Sequence, residues 1–287
     1  MRFFWVGVLM LACTSVNNGP VSTDTDTGET DTADTDMPLD VCVPNEDTSV
    51  FTSGLFGFAY DQNGGAVECF AAQYCSEVGC MPGDSNGTGS FSVPTDAVGT
   101  VGGFEIIPLT DTYAHLIPST VPITIDVGSD LEIDTVLMAP DVFYRVPENE
   151  DEVSIGAGLH VSLGRDTVKL PFGGTPEERL AAVEVPPEKR LPVLIEGNSR
   201  GVLGMWYLSP FDTQTLGEGM ALRVEDQWGL DAEKTYEAYE FQVDKDKGYL
   251  WISVGEFALQ DGFLVAANAE NTGLKYLSTL VLLDAAE

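Results

Sequence analysis

Basic side chains are scarce in this chain of 287 residues. The sequence contains 13 Lys and Arg against 46 Asp and Glu, and its formal net charge is −33. No Lys or Arg lies between Arg2 and Arg145. A surface this acidic repels phosphates, so the composition excludes nucleic acid as a partner. It also disfavours docking of the folded surface on anionic lipid headgroups.

Helical periodicity is also missing, and after the N-terminus no apolar run is long enough to span a bilayer. Short β-rich runs instead recur between turn residues, in a chain with 30 Gly and 16 Pro. This pattern predicts an all-β protein with two β-sandwich domains, at 49–141 and 142–287. The one helical signal is Thr175-Pro176-Glu177-Glu178, which predicts a turn or two at most.

The N-terminus has the features of an export signal. Arg2 precedes an apolar run from Phe3 to Ala12, which is about half the ~20 residues that a transmembrane helix needs. The stretch Leu9-Met10-Leu11-Ala12-Cys13 resembles the lipobox of bacterial lipoproteins. The resemblance implies that residues 1–12 are removed and that acylated Cys13 anchors the chain in a bilayer. An ordinary cleaved signal and an uncleaved anchor are the alternatives.

Residues 13–48 are predicted to be a disordered tether. Pro20 to Pro38 alternates Thr with Asp or Glu, so it cannot bury enough apolar surface to offset chain entropy. A calcium-binding acidic repeat is the alternative, but the spacing lacks the glycines and turns of a calcium loop. Thr14 follows Cys13, where some lipoproteins retained at the inner membrane have Asp. We therefore expect an exported protein at the outer membrane or cell surface.

The five cysteines divide into one candidate for lipidation and four candidates for disulfides. If Cys13 carries lipid, then Cys42, Cys69, Cys75 and Cys80 remain as an even set, which outside the cytoplasm indicates two disulfides. Three connectivities are possible, and we favour Cys75–Cys80 with Cys42–Cys69. A zinc site is the rival, but no histidine precedes these cysteines and no Cys-x-x-Cys pair occurs.

The first β-rich block resembles the carboxypeptidase-regulatory-like domain, a transthyretin-like β-sandwich. Gly57 to Gly65 matches the family's opening strand pair, Thr88 to Phe91 the core of its second motif, and Val121 to Val136 its closing strands. A tight hairpin is expected at Asn63-Gly64-Gly65 and another at Gly128-Ser129. The resemblance implies a non-catalytic stability or interaction module.

The second block resembles the β-domain of ankyrins and netrin receptors. Pro210, Gly219 and Leu222 fall in one of its motifs, and Gly248 and Trp251 fit a later Gly-x-Trp motif with one extra residue. The resemblance implies an interaction domain of sandwich type without enzymatic activity.

Two short motifs are candidates for chemistry. Gly83 to Gly87 spells GDSNG, which matches Gly-x-Ser-x-Gly and differs by one residue from the GDSGG of trypsin-like proteases. A nucleophile elbow needs a helix after the serine, whereas a strand is expected here, so a hairpin turn is favoured. Asp244 and Asp246 begin a possible calcium loop, but two lysines lie beside them and the closing Glu is absent. A charged β-turn is favoured, and no metal or other cofactor is predicted.

Aromatic and histidine side chains offer further candidates. Several aromatics of the second block could line a sugar-binding face, although their spacing fits alternate strand positions: Trp206, Tyr207, Trp228, Tyr236, Tyr239, Tyr249 and Trp251. His115, near an expected turn, and His160, in an expected strand, are interpreted as structural.

Two functions remain open. The first is a non-catalytic surface lipoprotein that contacts the bilayer through Cys13 and binds an unknown protein or glycan. The second is an extracytoplasmic glycan hydrolase that uses scattered carboxylates, since paired carboxylates can cleave glycosidic bonds.

Overall fold

The structure is a computed structural model, and it describes residues 50–68, 70–76, 78–96, 101–109, 113–171, 176–190, 193, 195, 199–217, 219–244, 248–268 and 272–285. The chain is all-β, as predicted. The helical signal at 175–178 corresponds to one 3-10 turn, Pro176–Glu178, and a second such turn spans Pro187–Lys189. Within these residues no helix is long and apolar enough to cross a membrane.

The described residues of the first block form nine strands in two sheets. They are β1 Leu55–Asp61, β2 Phe70–Ser76, β3 Gly79–Pro82, β4 Asp84–Ser85, β5 Ser90–Val93, β6 Val101–Pro108, β7 Ser119–Thr124, β8 Leu131–Glu132 and β9 Thr135–Leu137. A five-stranded sheet has the order β4-β5-β1-β8, with β9 also paired to β1, and a four-stranded sheet has the order β3-β2-β6-β7. Apolar side chains alternate along β1 and β2, so each sheet buries one face against the other.

Both hairpins expected in this block form their turns but not their ladders. At Asn63-Gly64-Gly65 the chain makes a turn and one bridge, Tyr60 with Ala66, before β2 joins the other sheet. At Gly128-Ser129 a turn also forms, but β7 pairs with β6 whereas β8 and β9 pair with β1. The predicted closing hairpin is therefore wrong. Each turn instead connects the two sheets, so that both sheets bury their apolar faces.

Parallel pairing of β8 and β9 with β1 requires a close approach of two backbones. A Cβ atom on Gly57 would lie 2.0 Å from the Ile133 carbonyl oxygen, and Gly57 has a φ of 157°. Only glycine fits this position without displacing the neighbouring strand. Gly57 is also the first residue of the stretch that resembles the regulatory-like family.

Twelve strands lie in the part of the second block that the structure describes. They are β10 Asp151–Gly156, β11 Leu159–Leu163, β12 Val168–Lys169, β13 Ala181–Glu184, β14 Val202–Ser209, β15 Thr213–Thr215, β16 Leu222–Glu225, β17 Thr235–Asp244, β18 Gly248–Gln260, β19 Phe263–Ala266, β20 Tyr276–Leu277 and β21 Thr279–Leu283. Nine of them form a sheet with the order β10-β11-β16-β19-β18-β17-β21-β14-β13, and β12-β15-β20 form a three-stranded sheet.

The nine-stranded sheet curls until its first and last strands approach one another. A Cβ on Gly156 of β10 would lie 3.2 Å from the carbonyl oxygen of Ala182 on β13. The enclosed core includes Val161, Trp206 and Phe257, all fully buried. This arrangement places about half of the sheet opposite the other half, as in a sandwich.

The outer face of the same sheet packs on the first block. Met205, Tyr207 and Val281 belong to a core that also contains Phe91 and Phe104 of the first block. All the described residues belong to one compact unit. The predicted domain boundary at 141/142 falls between β9 and β10 and remains a prediction.

One of the two favoured disulfides, Cys75–Cys80, lies within the described residues and is formed. The two cysteines are direct partners on β2 and β3. Cys75 is fully buried and packs against Phe241 and Trp251 of the second block, whereas Cys80 is exposed. The bond therefore fixes a hairpin that contacts the second block. Cys42 and Cys69 lie outside the described residues.

Replacement of the exposed cysteine tests this bond without changing the core. Cys80→Ser should lower the free energy of unfolding by about 2 kcal/mol, because the short loop is no longer closed in the unfolded chain. Thermal unfolding would show a fall of several degrees, and non-reduced peptide mapping of the wild type should link Cys75 to Cys80. Equal melting temperatures of the two proteins, with both thiols free in the wild type, would contradict the assignment.

Candidate functional site

The three-stranded sheet carries a row of polar side chains on its outer face. Lys169, Gln214 and Tyr276 are direct neighbours across β12, β15 and β20. Val168 and Leu277, at alternate positions of β12 and β20, are buried in the core. Because strand side chains alternate between faces, the polar row points outward, and each of its members is half-buried or exposed.

Asp212 lies at the end of this row, just before β15. Its φ of 63° is left-handed, and its backbone N–H donates to the Leu277 carbonyl at 3.0 Å. The Gln214 amide donates to Asp212 Oδ1 at 3.4 Å. Asp212 is exposed, but partial desolvation by neighbouring atoms raises the pKa of its carboxyl, although the Gln214 hydrogen bond and the Lys169 charge oppose the rise.

Glu240, on β17, connects this small sheet to the large one. Its side chain is 1% exposed. Oε2 accepts hydrogen bonds from the backbone N–H groups of Lys275 at 2.8 Å and Tyr276 at 3.2 Å, and Oε1 accepts one from the Gln242 amide at 3.1 Å. A side chain thus satisfies backbone donors at the start of β20.

Burial shifts the titration of this group strongly. It raises the pKa of Glu240 to about 8, although the two backbone hydrogen bonds and the Lys275 charge act in the other direction. The pKa of Tyr276 is also raised, first by burial and then by the charges of Asp212 and Glu240. Perturbed titratable groups that influence one another are more frequent at functional sites than elsewhere. We call Lys169, Asp212, Gln214, Glu240 and Tyr276 the Tyr276 patch.

Two members of the Tyr276 patch have polar atoms that remain available for contacts with a ligand. Within the described part of the chain, the Tyr276 hydroxyl makes no hydrogen bond and the Lys169 amine makes no ion pair. Lys169 differs in this from four arginines that are paired with carboxylates: Arg165, Arg190, Arg200 and Arg223. The patch therefore presents donors and acceptors to solvent.

A polar cleft of about 270 Å³ opens next to the same strands. Its lining residues are Glu150, Ser162, Asp166, Thr167, Thr215, Leu216, Gly217, Gly219 and Met220. Thr215 follows Gln214 on β15, and Thr167 immediately precedes β12. The cleft and the Tyr276 patch thus share the short strands that position them.

A second outward group lies on β11, β16 and β19. The Arg223 guanidinium stands 4.2 Å from the centroid of the Phe263 ring, and His160 meets that ring edge-on at 5.4 Å. His160 Nε2 lies 3.2 Å from Glu225 Oε1, and Arg223 Nη1 lies 2.6 Å from Glu152 Oε1. These polar groups are therefore already paired with one another. His115, as predicted, lies on an exposed turn.

The GDSNG motif forms the hairpin turn that was favoured for it. Ser85 ends β4, and its hydroxyl donates to the Phe70 carbonyl at 2.9 Å. Asn86 is buried, and its side-chain oxygen accepts from the Thr88 and Ser90 backbone N–H groups. A strand follows, so the strand–turn–helix geometry of a nucleophile elbow is absent here.

Most of the aromatics proposed for a sugar-binding face serve the core. Trp206, Tyr207 and Tyr236 are buried, and the Trp206 indole donates to the Ala157 carbonyl at 3.2 Å. Trp228 packs edge-on against Trp206 at 6.1 Å. Tyr276, which lies on an outward polar face, was not among the predicted residues, and the side chain of the predicted Tyr249 lies outside the described part of the structure.

Other predicted residues lie outside the described part of the chain. These are lipidation residue Cys13, calcium candidate Asp246 and the side chain of calcium candidate Asp244. The flanking strands pair up to Asp244 and Gly248, as expected for a hairpin. Among the described residues, no group of three or more His, Cys, Asp or Glu side chains is placed to hold a metal ion.

Sequence reasoning missed Glu240 and Asp212, although one signal for Glu240 was present. Glu240 continues the alternate positions of Tyr236 and Ala238, which are buried. A carboxylate in phase with buried apolar residues indicates a special role. Asp212 offers no such signal, because its place in the patch depends on pairing of β15 with β20.

No family model matches the sequence, and a search of curated proteins finds no match.

The buried carboxyl predicts an unusual pH dependence of stability. Since the pKa of Glu240 is about 8 in the folded protein against an ordinary 4.5, folding retains a proton that the unfolded chain releases between these values. Stability contributed by this group therefore declines as pH rises from 5 to 8.5. Glu240→Gln should remove the decline, so its melting temperature relative to wild type should rise across this range. The free-energy change is on the order of a few kcal/mol.

Glu237 on the same strand provides a matched control. Burial raises its pKa, but hydrogen bonds from Tyr239 and Arg200 and the Arg200 charge outweigh this, and the pKa lies below the ordinary value. The stabilisation that Glu237 contributes is complete above the pKa that this group has in the unfolded chain. It is lost only as the pH falls through the lower pKa of the folded protein. Glu237→Gln should destabilise the protein without a pH trend from 6 to 8.5. A Glu240→Gln difference that is constant with pH would refute the assigned pKa.

Proposed function

We propose that this protein is an exported, lipid-anchored and non-catalytic binding protein of a bacterial outer membrane or cell surface. The observation that carries the proposal is the Cys75–Cys80 bond, because disulfides persist mainly in oxidising, extracytoplasmic compartments. The lipobox-like stretch Leu9–Cys13 supplies the anchor, and the acidic segment Pro20–Pro38 separates it from the folded unit.

The two family resemblances support the binding role. The resemblance to the carboxypeptidase-regulatory-like domain implies a stability or interaction module, and the resemblance to the ankyrin and netrin-receptor β-domain implies an interaction domain; the all-β fold is compatible with these roles. The partner is proposed to be a protein or a glycan. The shared core of the two blocks gives such a partner one compact unit to bind.

A glycan hydrolase is the second candidate. The observation that favours it is the Tyr276 patch, where Asp212 and Glu240 both have raised pKa values. Glycosidases use a protonated carboxylic acid beside an ionised carboxylate, and raised pKa values serve the first of these roles. Glu240, however, is buried and already bonded to two backbone N–H groups, so it does not reach a substrate.

The lipid anchor is tested by one substitution. In cells fed a fatty-acid probe, the wild type should be labelled and stay with membranes, whereas Cys13→Ala should lose the label and leave the membrane fraction. Cys80→Ser serves as the control, because it removes a cysteine assigned to a disulfide and should label like wild type. Equal labelling of wild type and Cys13→Ala would refute the anchor.

A further inference from the structure

We propose that the Tyr276 patch binds neutral saccharide chains, with the Tyr276 ring stacked on a sugar ring and the neighbouring side chains bonded to its hydroxyls. This inference rests on the proposed function as a binding protein and names the chemical class of its ligand.

The ring supplies the apolar part of such a contact. Tyr276 is half-buried at the outer face of β20, and its hydroxyl makes no hydrogen bond within the described residues. Sugar rings have an apolar C–H face and a polar rim, and a Tyr side chain matches both, since it combines an apolar body with a polar end. The Tyr276 backbone N–H donates to Glu240 at 3.2 Å, which fixes the main chain from which the ring projects before a ligand arrives.

The flanking side chains supply the polar part. Lys169 donates, Asp212 accepts, and the Gln214 amide does both, so the set suits hydroxyl groups, which also donate and accept. Lys169, Gln214 and Tyr276 are register neighbours across three strands. Neighbouring strands lie about 4.8 Å apart, so the row is about 10 Å long, enough for more than one sugar ring.

The charges of the patch favour a neutral ligand. Lys169 and Asp212 have opposite charges and interact with each other. Anionic polymers meet a chain with a formal net charge of −33 and are repelled. Cationic peptides are attracted to the acidic surface as a whole, with no preference for this position. A hydroxyl-rich neutral chain is the class that gains from these groups without an opposing long-range charge.

The outward group around Phe263 also contains an aromatic ring, but the polar side chains beside this ring are already paired with one another. Arg223 covers the Phe263 ring at 4.2 Å and pairs with Glu152, and His160 is bonded to Glu225. A sugar would have to displace the guanidinium to stack there. Phe263 is therefore the matched control for Tyr276.

The test uses the full-length protein in detergent. Cellohexaose, maltohexaose, xylohexaose and mannohexaose are titrated by calorimetry, with oligogalacturonate as the anionic comparison. We expect saturable binding of at least one neutral hexasaccharide and none of oligogalacturonate. Tyr276→Ala should weaken that binding about tenfold or more, and Gln214→Ala several-fold. Tyr276→Phe, which keeps the stacking ring, should retain most of the affinity, and Phe263→Ala should bind like wild type.

Thermal unfolding of each variant separates loss of binding from loss of fold. No binding of any neutral hexasaccharide at millimolar concentration by a folded wild type would overturn the inference. Equal loss in Phe263→Ala and Tyr276→Ala, or no loss in Tyr276→Ala, would overturn it as well. Chromatography of the bound sugar addresses the proposed function separately, because shortened products would show a hydrolase. Failure of saccharide binding with intact Cys13 labelling would leave the lipid-anchored function standing.

Discussion

Burial of both faces of the central strands is the constraint on which the rest of the structure depends. All five residues of β21 are buried, with Val281 and Leu283 in the core shared with the first block and Leu280 and Leu282 in the core of the second. β14 repeats the pattern with alternate residues. Each such side chain contributes about 1.5–3 kcal/mol by leaving water. Because the two cores share strands, the two blocks are held together by the hydrophobic effect.

The Tyr276 patch follows from this central sheet. β17 pairs with β21 so that Glu240 lies opposite Leu280, deep in the sheet. At that depth a polar carboxyl group needs hydrogen-bond partners, and the N–H groups of Lys275 and Tyr276 provide them. The same bonds fix the backbone at the start of β20, from which the Tyr276 side chain projects. A polar residue that is costly to bury thus sets the geometry of an outward surface.

The sequence was sufficient for the fold class and for local features. Turn residues and apolar alternation predicted the longer strands and the turns at Asn63–Gly65 and Gly128–Ser129, and the short spacing of Cys75 and Cys80 favoured their pairing. It was insufficient for the partners of those strands. A turn between two alternating strands fits a hairpin within one sheet and an arch between two sheets equally well. Whether a hairpin or an arch forms depends on which apolar faces pack together. The local periodicity of the sequence does not contain that information.

The patch was beyond sequence reasoning for a related physical reason. Lys169, Gln214 and Tyr276 are far apart in the chain and become neighbours only through β12, β15 and β20, which are two or three residues long. Strands this short have no detectable period. Their positions depend on the longer strands around them, and Glu240 accepts hydrogen bonds from two backbone N–H groups at the start of β20. The position of the polar surface therefore depends on contacts inside the core. A change at Glu240 should disturb Tyr276 before it disturbs any other outward residue.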